Sequence, residues 1–393
     1  MWSFTFARIP HIHFGAGKFN GLAHLLGRMG NTALIVTGAH SLEASGKWEV
    51  LSASLEKASI PYIHMHVKGE PSPGLVDDIV AQSKDENVDV VAAIGGGSVI
   101  DTGKAISAMI PQEASVVDYL EGVGTGQPHN GVKVPFVAVP TTSGAGSEAT
   151  KNAVLSRIGA GGFKKSLRHD NFIPDVAVID PELTLPCPPD ITAACGMDAF
   201  TQLLESYVST KATPMTDALA LSGIAALKDN LVPACTTGAG DTSVRAGMAY
   251  AALLSGITLA NAGLGIVHGL AAVMGGYFHI PHGVVCGTLV APATGMTIDL
   301  LKARDPENSA LHKYAKIGAL LTESQNTDVV ACCGLLLEKL DEWTDLLQLP
   351  LLSDYGIQDT DLDKIIAETG NKNNPVALEP EQIRQILLRR MES

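Results

Sequence analysis

Apolar and polar positions in the first half of the chain alternate between two patterns. Short apolar runs, rich in β-branched residues, are each followed by a longer segment with helical hydrophobic periodicity. Strands that alternate with helices are typical of a parallel sheet with helices on both faces. The predicted strands are 11–17 (strand and turn), 32–37, 62–67, 88–94, 134–139 and 176–179, with a hairpin at 154–165; the predicted helices are 18–28, 47–58, 73–86 and one that ends near 109.

In the second half, helix-length patterns replace the strand signal. Four prolines between 181 and 189 form a stiff linker, which predicts a domain boundary. We therefore expect an α/β nucleotide-binding domain at 1–185 and an all-α domain at 186–393. The predicted helices of the second domain are 190–208, 214–230, 242–262, 266–277, 283–298, 310–322, 327–346, 359–370 and 380–391.

The segment 248–278 contains no Asp, Glu, Lys or Arg and is long enough to span a membrane. However, Asn261 and His268 interrupt it, and its many glycines break helical continuity. Gly263 and Gly265 predict a join between two helices. We therefore expect a buried helix pair here and no membrane partner.

Composition and charge disfavour several classes of function. The 393-residue chain has 46% hydrophobic and 17% charged residues, which indicates a well-buried enzyme rather than a disordered protein. Its net charge of −14 argues against nucleic acid as a partner. Six cysteines without a CxxC pair, and no evident signal peptide, predict free thiols in a cytoplasmic protein.

A glycine-rich motif, GGGSVID, stands where a predicted strand ends and a helix begins; its candidate residues are Gly95, Gly96, Gly97, Ser98 and Asp101. Glycines allow the backbone to approach a ligand closely, and N–H groups at a helix N-terminus attract phosphate. The alternative is an ordinary tight turn. Because the serine also favours a helix start, we interpret the motif as a phosphate cradle, although it is not GxGxxG.

A second loop, PTTSGAGSEAT at 140–150, follows the strand 134–139 and is rich in small hydroxyl residues. Ligands of open α/β sheets bind at the carboxyl ends of the strands, so Thr141, Thr142 and Ser147 are candidate cofactor contacts. A flexible surface loop is the alternative. Two such loops on one edge of the sheet favour a shared dinucleotide site.

Two histidines, His268 and His282, lie in the apolar, glycine-rich stretch 263–283. A buried imidazole needs a partner, because an unsatisfied polar group there costs on the order of a few kcal/mol. Two imidazoles and a carboxylate bind a divalent metal well, and Asp198 in GMDAFTQ is the candidate carboxylate. The alternative is that all three are hydrogen-bonded core groups.

In this order and spacing, the motifs resemble those of the iron-containing (group III) alcohol dehydrogenases of the dehydroquinate synthase-like superfamily. The resemblance implies a Rossmann-like nucleotide-binding domain, a helical domain and a metal in the cleft between them. It further implies cofactor contacts at Gly38, Ser41, Lys165 and Leu183. The motifs that carry it are FGAG at 14–17, GGGSVID at 95–101, PTTSGAGSEAT at 140–150, PDVAVIDPELT at 174–184, GMDA at 196–199, and GLGIVHGLA with IPHG at 263–283.

The family's metal ligands are an aspartate, a histidine four residues later and two further histidines. Asp198, His268 and His282 match three of them, but Gln202 stands at the place of the first histidine. Positions four apart share a helix face, and a neutral amide oxygen is a poorer ligand than imidazole for a borderline metal. We expect a retained metal with Gln202 as a weak fourth ligand; the alternative is loss of the metal, as in the branch that resembles maleylacetate reductases.

The resemblance implies reversible hydride transfer between a small alcohol and a nicotinamide cofactor, with iron or zinc as Lewis acid. His268 and His282 are then catalytic residues as well as ligands. Many members carry a histidine where this chain has Ala272, so His279 is the candidate proton relay. A dehydroquinate synthase-like lyase, which the apolar residues near the ligands disfavour, and a degenerate nucleotide-binding protein are the remaining alternatives.

The cofactor is predicted from the loop after the first buried strand. Many members place an aspartate there, which would bind the adenosine 2′-OH and repel a 2′-phosphate; here the loop reads TGAHS at 37–41, without a carboxylate. We therefore favour NADP over NAD. The resemblance also implies a homodimer. The substrate is left open between a small neutral alcohol or aldehyde and an acid held by Lys164, Lys165 or Arg168.

Overall fold

The computed structural model describes residues 3–159 and 161–391. Its first half contains a six-stranded parallel sheet with strand order β1-β8-β5-β4-β2-β3, which confirms the predicted fold class. A separate antiparallel hairpin is formed by β6 and β7. The strands are β1 (His11–Phe14), β2 (Ala33–Gly38), β3 (Tyr62–Val67), β4 (Val90–Gly95), β5 (Phe136–Pro140), β6 (Asn152–Arg157), β7 (Phe163–Arg168) and β8 (Val176–Ile179).

The central strands are apolar on both faces because helices cover both sides of the sheet. Along β4, Val91 and Ala93 pack into one hydrophobic cluster, whereas Val90 and Ala92 pack into another on the opposite face. This alternation is the period-2 geometry of a strand buried on both sides. The helices of this half are α1 (Leu22–Leu26), α2 (Ser41–Ala44), α3 (Lys47–Lys57), α4 (Pro73–Asp85) and α5 (Gly97–Met109).

The second half is helical, as predicted, and α8 and α9 have the predicted bounds. Several helices begin at residues that cap the free N–H groups of a first turn: Thr213 forms a capping box with Thr216, and Asp241 caps α8. The helices are α6 (Pro189–Val208), α7 (Pro214–Cys235), α8 (Thr242–Ala262), α9 (Ile266–Tyr277), α10 (His282–Arg304), α11 (Ser309–Thr322), α12 (Val329–Leu346), α13 (Asp359–Glu368) and α14 (Pro380–Leu388).

Several predicted elements differ from the structure, among them the helix expected at 214–230, which continues to Cys235 as α7. The helix expected at 18–28 is a 3₁₀ turn followed by the five-residue α1, because Gly21 and Gly27 weaken helix continuity. The loop expected after β2 contains the short helix α2. Helix α10 continues past residue 298 to Arg304, because its apolar face extends to the buried Leu301.

Helices α7, α8 and α10 are long and apolar enough to cross a membrane by length and composition. In the structure they pack against other helices: 83% of the most apolar window of α10 and 61% of that of α8 are buried within the protein, against 33% for α7. The uncharged stretch predicted as a helix pair is divided between α8 and α9, with Gly263 and Gly265 in the turn between them.

The two halves touch through glycines. Gly146, in the loop after β5, has a left-handed φ of 62°, and a Cβ on it would lie 2.5 Å from the Cα of Gly256 in α8. A Cβ on Gly144 would lie 2.7 Å from the Cβ of Cys195 in α6. Only glycine allows backbones to approach so closely. The loop after β5 is therefore held directly against α6 and α8.

Replacing Gly256 with alanine tests this contact. The new Cβ would overlap the carbonyl oxygen of Gly146, so we expect the free energy of unfolding to fall by about 1–3 kcal/mol or more, as overpacking does elsewhere. Urea unfolding measures the loss. Gly240→Ala is the matched control, since a Cβ there meets open space, and its effect should stay within about 0.5 kcal/mol. Equal stability of both variants would contradict the close approach.

Candidate active site and metal centre

A cavity of about 510 Å³ lies between the sheet's carboxyl edge and the helical half. The glycine-rich motif contributes Gly97, Ser98 and Asp101 to its wall, and the hydroxyl-rich loop contributes Thr142 and Ser147. The opposite wall comes from α6, α9 and α10, with Asp198, His268 and His282 among its residues. The loops and the side chains that the sequence singles out therefore meet in one enclosed space.

Three side chains converge at the floor of this cavity: Asp198 on α6, His268 on α9 and His282 at the start of α10. The Nε2 atom of His268 lies 3.3 Å from Oδ1 of Asp198, and the Nε2 atom of His282 lies 3.9 Å from the same oxygen. Cys286 is the fourth member of the cluster. The four candidate ligand atoms, one from each residue, all lie within 4.8 Å of one another. These donors are typical of a site for a borderline divalent metal.

Glu205 determines how His268 is oriented. Its Oε2 lies 2.7 Å from Nδ1 of His268, and its Oε1 accepts the backbone N–H of Val267 at 2.7 Å. Nε2, the other ring nitrogen of His268, faces Oδ1 of Asp198. A carboxylate behind a metal-binding histidine is a common outer-shell arrangement, which raises the basicity of the ligand.

Two donors of the cluster, Asp198 and His282, are in metal-binding protonation states near neutral pH. Burial opposes ionisation of Asp198, but the hydrogen bond from His268 and the nearby His282 outweigh it and lower the pKa of this carboxyl to about 2. Burial lowers the pKa of His282 to about 4, with Lys164 and His268 acting in the same direction. Near neutral pH the site therefore offers a carboxylate and a neutral imidazole facing the cavity.

Both halves of the chain match families of known proteins. Residues 10–181 match the model described as iron-containing alcohol dehydrogenase, and residues 192–391 match the C-terminal model of the Fe-containing alcohol dehydrogenase family. The chain belongs to the iron-containing alcohol dehydrogenase family. This confirms the resemblance inferred from the motifs.

Several relatives span nearly the whole chain. The NAD-dependent methanol dehydrogenase of Bacillus methanolicus is 30% identical over 96% of this chain and 97% of its own. The NADPH-dependent butanol dehydrogenase of Clostridium saccharobutylicum is 30% identical over 98% of this chain and 97% of its own. A solved 1,3-propanediol oxidoreductase superposes with a TM-score of 0.88 at 28% identity, covering 99% of this chain and 100% of its own.

Gln202, at the place of one of the iron-containing family's histidines, lines the cavity from α6. Its Oε1 accepts a hydrogen bond from the hydroxyl of Ser255 on α8 at 2.8 Å. The oxygen predicted as a weak ligand is therefore already engaged within the protein. Instead, Cys286 completes the cluster, one helical turn after His282. Sequence reasoning missed it, although the spacing of four in a predicted helix was a usable signal.

Strand alternation decides which lysine of the hairpin reaches the cavity. Lys164 points inward, and its Nζ lies 2.9 Å from Oε2 of Glu70. Lys165, the predicted cofactor contact, is its neighbour on β7 and is exposed on the opposite face. Ser166 and Arg168, which share the face of Lys164, also line the cavity.

The remaining predicted cofactor contacts lie near the cavity but not in its wall. They lie at or just after the carboxyl ends of β2, β4 and β5, along one edge of the sheet: Gly38, Ser41, Gly95, Gly96 and Thr141. Asp101 lines the cavity, and its Oδ2 accepts the backbone N–H of Val154, which ties α5 to the hairpin.

Two further predicted residues lie elsewhere. Leu183 is buried in the hydrophobic cluster on one face of the sheet. His279 is exposed and lines a neighbouring depression of about 970 Å³, which shares Glu70, Ser98, Lys164 and Pro281 with the cavity. The structure thus does not bring the predicted proton relay into the cavity that holds the cluster.

Substituting Glu205 with glutamine tests its control of His268. Both groups that Glu205 contacts are hydrogen-bond donors, so an amide, which presents one oxygen and one NH₂, loses one of the two bonds. We expect metal to bind about 10–100-fold more weakly, the usual cost of losing an outer-shell partner. Competition with a chelator measures the affinity. Glu338→Gln, an exposed carboxyl on α12, is the control, and equal affinities in the two variants would contradict the assignment.

Proposed function

We propose that the protein catalyses reversible, NAD(P)-dependent oxidation of a small alcohol to its carbonyl compound, with a divalent metal held by Asp198, His268 and His282. The observation that carries this proposal is the convergence of a carboxylate and two imidazoles on the floor of a cavity whose opposite wall carries the glycine-rich motif. Membership of the iron-containing alcohol dehydrogenase family supports the reaction class and the use of a metal.

The donor set fits an iron or zinc ion. One carboxylate and two imidazoles are the ligands of many catalytic metal sites, and Glu205 supplies the outer-shell carboxylate that such sites use. The bound ion supplies a Lewis acid that favours the deprotonated alcohol and, in the reverse direction, polarises the carbonyl group. Glu205 holds Nδ1 of His268, so Nε2 is the ring nitrogen that would bind the ion.

The chain's own residues position the nicotinamide cofactor. Helix α5 begins at Gly97 beside the cavity, so its first N–H groups offer a site for the cofactor's phosphates. A Cβ on Gly97 would lie 3.0 Å from the Cβ of Ala145, which indicates how tightly the two loops pack. Thr142, Ser147 and Lys164 add hydroxyl and ammonium donors along the cavity. Hydride transfer would then occur between two reactants held in one cavity.

Replacing Asp198 with asparagine tests the metal-dependent reaction. We expect purified Asp198→Asn to lose bound metal and to lose kcat by more than the about 10–100-fold that an outer-shell change costs. Elemental analysis and alcohol-dependent reduction of NAD(P) give the two readouts. Asp229→Asn, on the exposed side of α7, should keep both metal and activity. Full activity of metal-free wild-type protein would favour the maleylacetate reductase-like alternative.

We propose that the enzyme prefers NADP to NAD, because of the residues at the carboxyl end of β2 and beside it. Gly38 leaves room for a 2′-phosphate, and Nδ1 of His66 on β3 lies 3.4 Å from its carbonyl oxygen. The exposed His66 imidazole offers a donor at this edge. The nearby carboxylate of Glu43 turns towards this ring, with Oε1 3.6 Å from the same Nδ1.

Introducing aspartate at Gly38 should reverse this preference. Placing a like charge beside a phosphate costs several kcal/mol, so we expect the ratio of kcat/KM for NADPH to that for NADH to fall by about 100-fold. Gly38→Ala is the uncharged control; its Cβ would lie no closer than 3.7 Å to Ser41, so the ratio should be unchanged. A wild-type enzyme that prefers NADH would contradict the proposal.

Three cationic side chains in the wall of the cavity bear on whether the substrate is a neutral alcohol or an acid. Lys164 is paired with Glu70 and Arg168 with Glu121, while Nζ of Lys372 donates to the carbonyl oxygen of His268 at 2.8 Å. A panel that pairs 1-butanol with 4-hydroxybutyrate compares a neutral alcohol with an acid of similar length.

Cytoplasmic location and a homodimer stay predictions. The six cysteines are free thiols, which supports a reducing compartment.

A further inference from the structure

We propose that Cys286 is the fourth protein ligand of the metal and takes the role that Gln202 does not fill. This inference rests on the proposed function, because it concerns the same metal centre. The inference goes beyond the proposed function because it names a cysteine as a coordinating residue. The family's ligand set contains no cysteine, and the sequence motifs did not point to one.

The spacing of the four donor atoms carries the argument. The sulfur of Cys286 lies 3.6 Å from Nε2 of His268 and 3.7 Å from Nε2 of His282. In a tetrahedral site with metal–sulfur bonds of about 2.3 Å and metal–nitrogen bonds of about 2.05 Å, sulfur and nitrogen are about 3.6 Å apart. The same geometry separates a carboxylate oxygen from an imidazole nitrogen by about 3.3 Å, which matches the 3.3 Å between Asp198 and His268.

The position of Cys286 on α10 follows from helical spacing. His282 and Cys286 are four residues apart, so both side chains project from one face of the helix towards α6 and α9. Cys286 is fully buried and, unlike the three other donors, does not line the cavity. A thiolate there would approach the ion from the protein side, so that an alcohol in the cavity would bind as a fifth ligand.

The hydrogen bonding of Gln202 explains why a replacement is needed. Its oxygen is held by Ser255, whose Oγ also lies 3.3 Å from the carbonyl oxygen of Gly144. Turning Gln202 towards the ion would break its hydrogen bond with Ser255, whose hydroxyl could then donate to the carbonyl oxygen of Ala252 at 2.8 Å. Cys286 requires no such rearrangement, because its sulfur already lies between the two imidazoles.

A thiolate ligand changes which ions the site selects. On binding, the thiol loses its proton to solvent and the ion gains a soft donor, with no change in oxidation state. Sulfur donors favour zinc and iron over the hard ions magnesium and calcium, which prefer oxygen. The site would therefore bind thiophilic ions more selectively than one with a histidine in place of Cys286.

Cobalt(II) substitution of the full-length protein tests the assignment directly. A thiolate bound to cobalt gives a charge-transfer absorption band in the near ultraviolet, which imidazole and carboxylate ligands do not. We expect the wild-type cobalt protein to have this band and Cys286→Ser to lose it. The serine variant should still bind one cobalt per chain, but at least about tenfold more weakly in chelator competition, since even outer-shell partners contribute that much.

Cys195→Ala provides the matched control, because Cys195 is a thiol in the wall of the same cavity but lies outside the cluster. It should retain both the band and the affinity. Cobalt binding without the band, or a band that persists in Cys286→Ser, would overturn the assignment of Cys286 while leaving the metal centre intact. A wild-type protein that binds no cobalt would overturn the metal centre itself, and the ligand with it.

Discussion

The close contact between two backbones, at Gly146 and Gly256, is the constraint on which the site depends. It holds the loop after β5 against α8, while Gly144 holds the same loop against α6. Since α6 also carries Asp198 and Gln202, the cofactor side and the metal side of the cavity are fixed relative to each other by one short segment. A side chain at either contact would separate the walls, and donors that must lie within a few ångströms of the cofactor would no longer face it.

The polar groups at the floor of the cavity form a chain in which each group stabilises its buried neighbour. Glu205, His268 and Asp198 are all at least nine-tenths buried, and each would be costly there without its neighbour. Glu205 satisfies one imidazole nitrogen and the N–H at the start of α9, while the other nitrogen faces Asp198. Despite the burial of His268, the neighbouring Cys286, Glu205 and Asp198 hold its pKa well above the usual range, so the surroundings favour a positive charge at this place.

Two pairs of residues at this site lie four positions apart on a helix, and the second member of each pair has different neighbours. On α6, position 202 lies one turn after Asp198, where the family has a ligand, but Gln202 is bonded to Ser255. On α10, Cys286 lies one turn after His282 and points into the cluster. A further sulfur donor on one helix thus lies beside the imidazoles, whereas the family's position on the other helix carries an amide. Such an arrangement depends on which side chains meet in space, so it is invisible from either motif alone.

The sequence by itself determined the alternation of strands and helices, the parallel sheet, the helical second half and the family. These features are local or cumulative: apolar periodicity repeats within each segment, and several weak motifs in one order become specific together. It also named Asp198, His268 and His282, which the structure brings together.

Only the tertiary structure decided which neighbours act with them. Lys164 rather than Lys165 reaches the cavity because a strand sends successive side chains to opposite faces, and the hairpin's packing selects the face. His279 lies outside because the turn before α10 carries it to the surface. The hydrogen bond of Gln202 to Ser255, and the position of Cys286 beside the two imidazoles, come from contacts between helices distant in the chain. Such contacts depend on how whole elements pack, which no local pattern encodes.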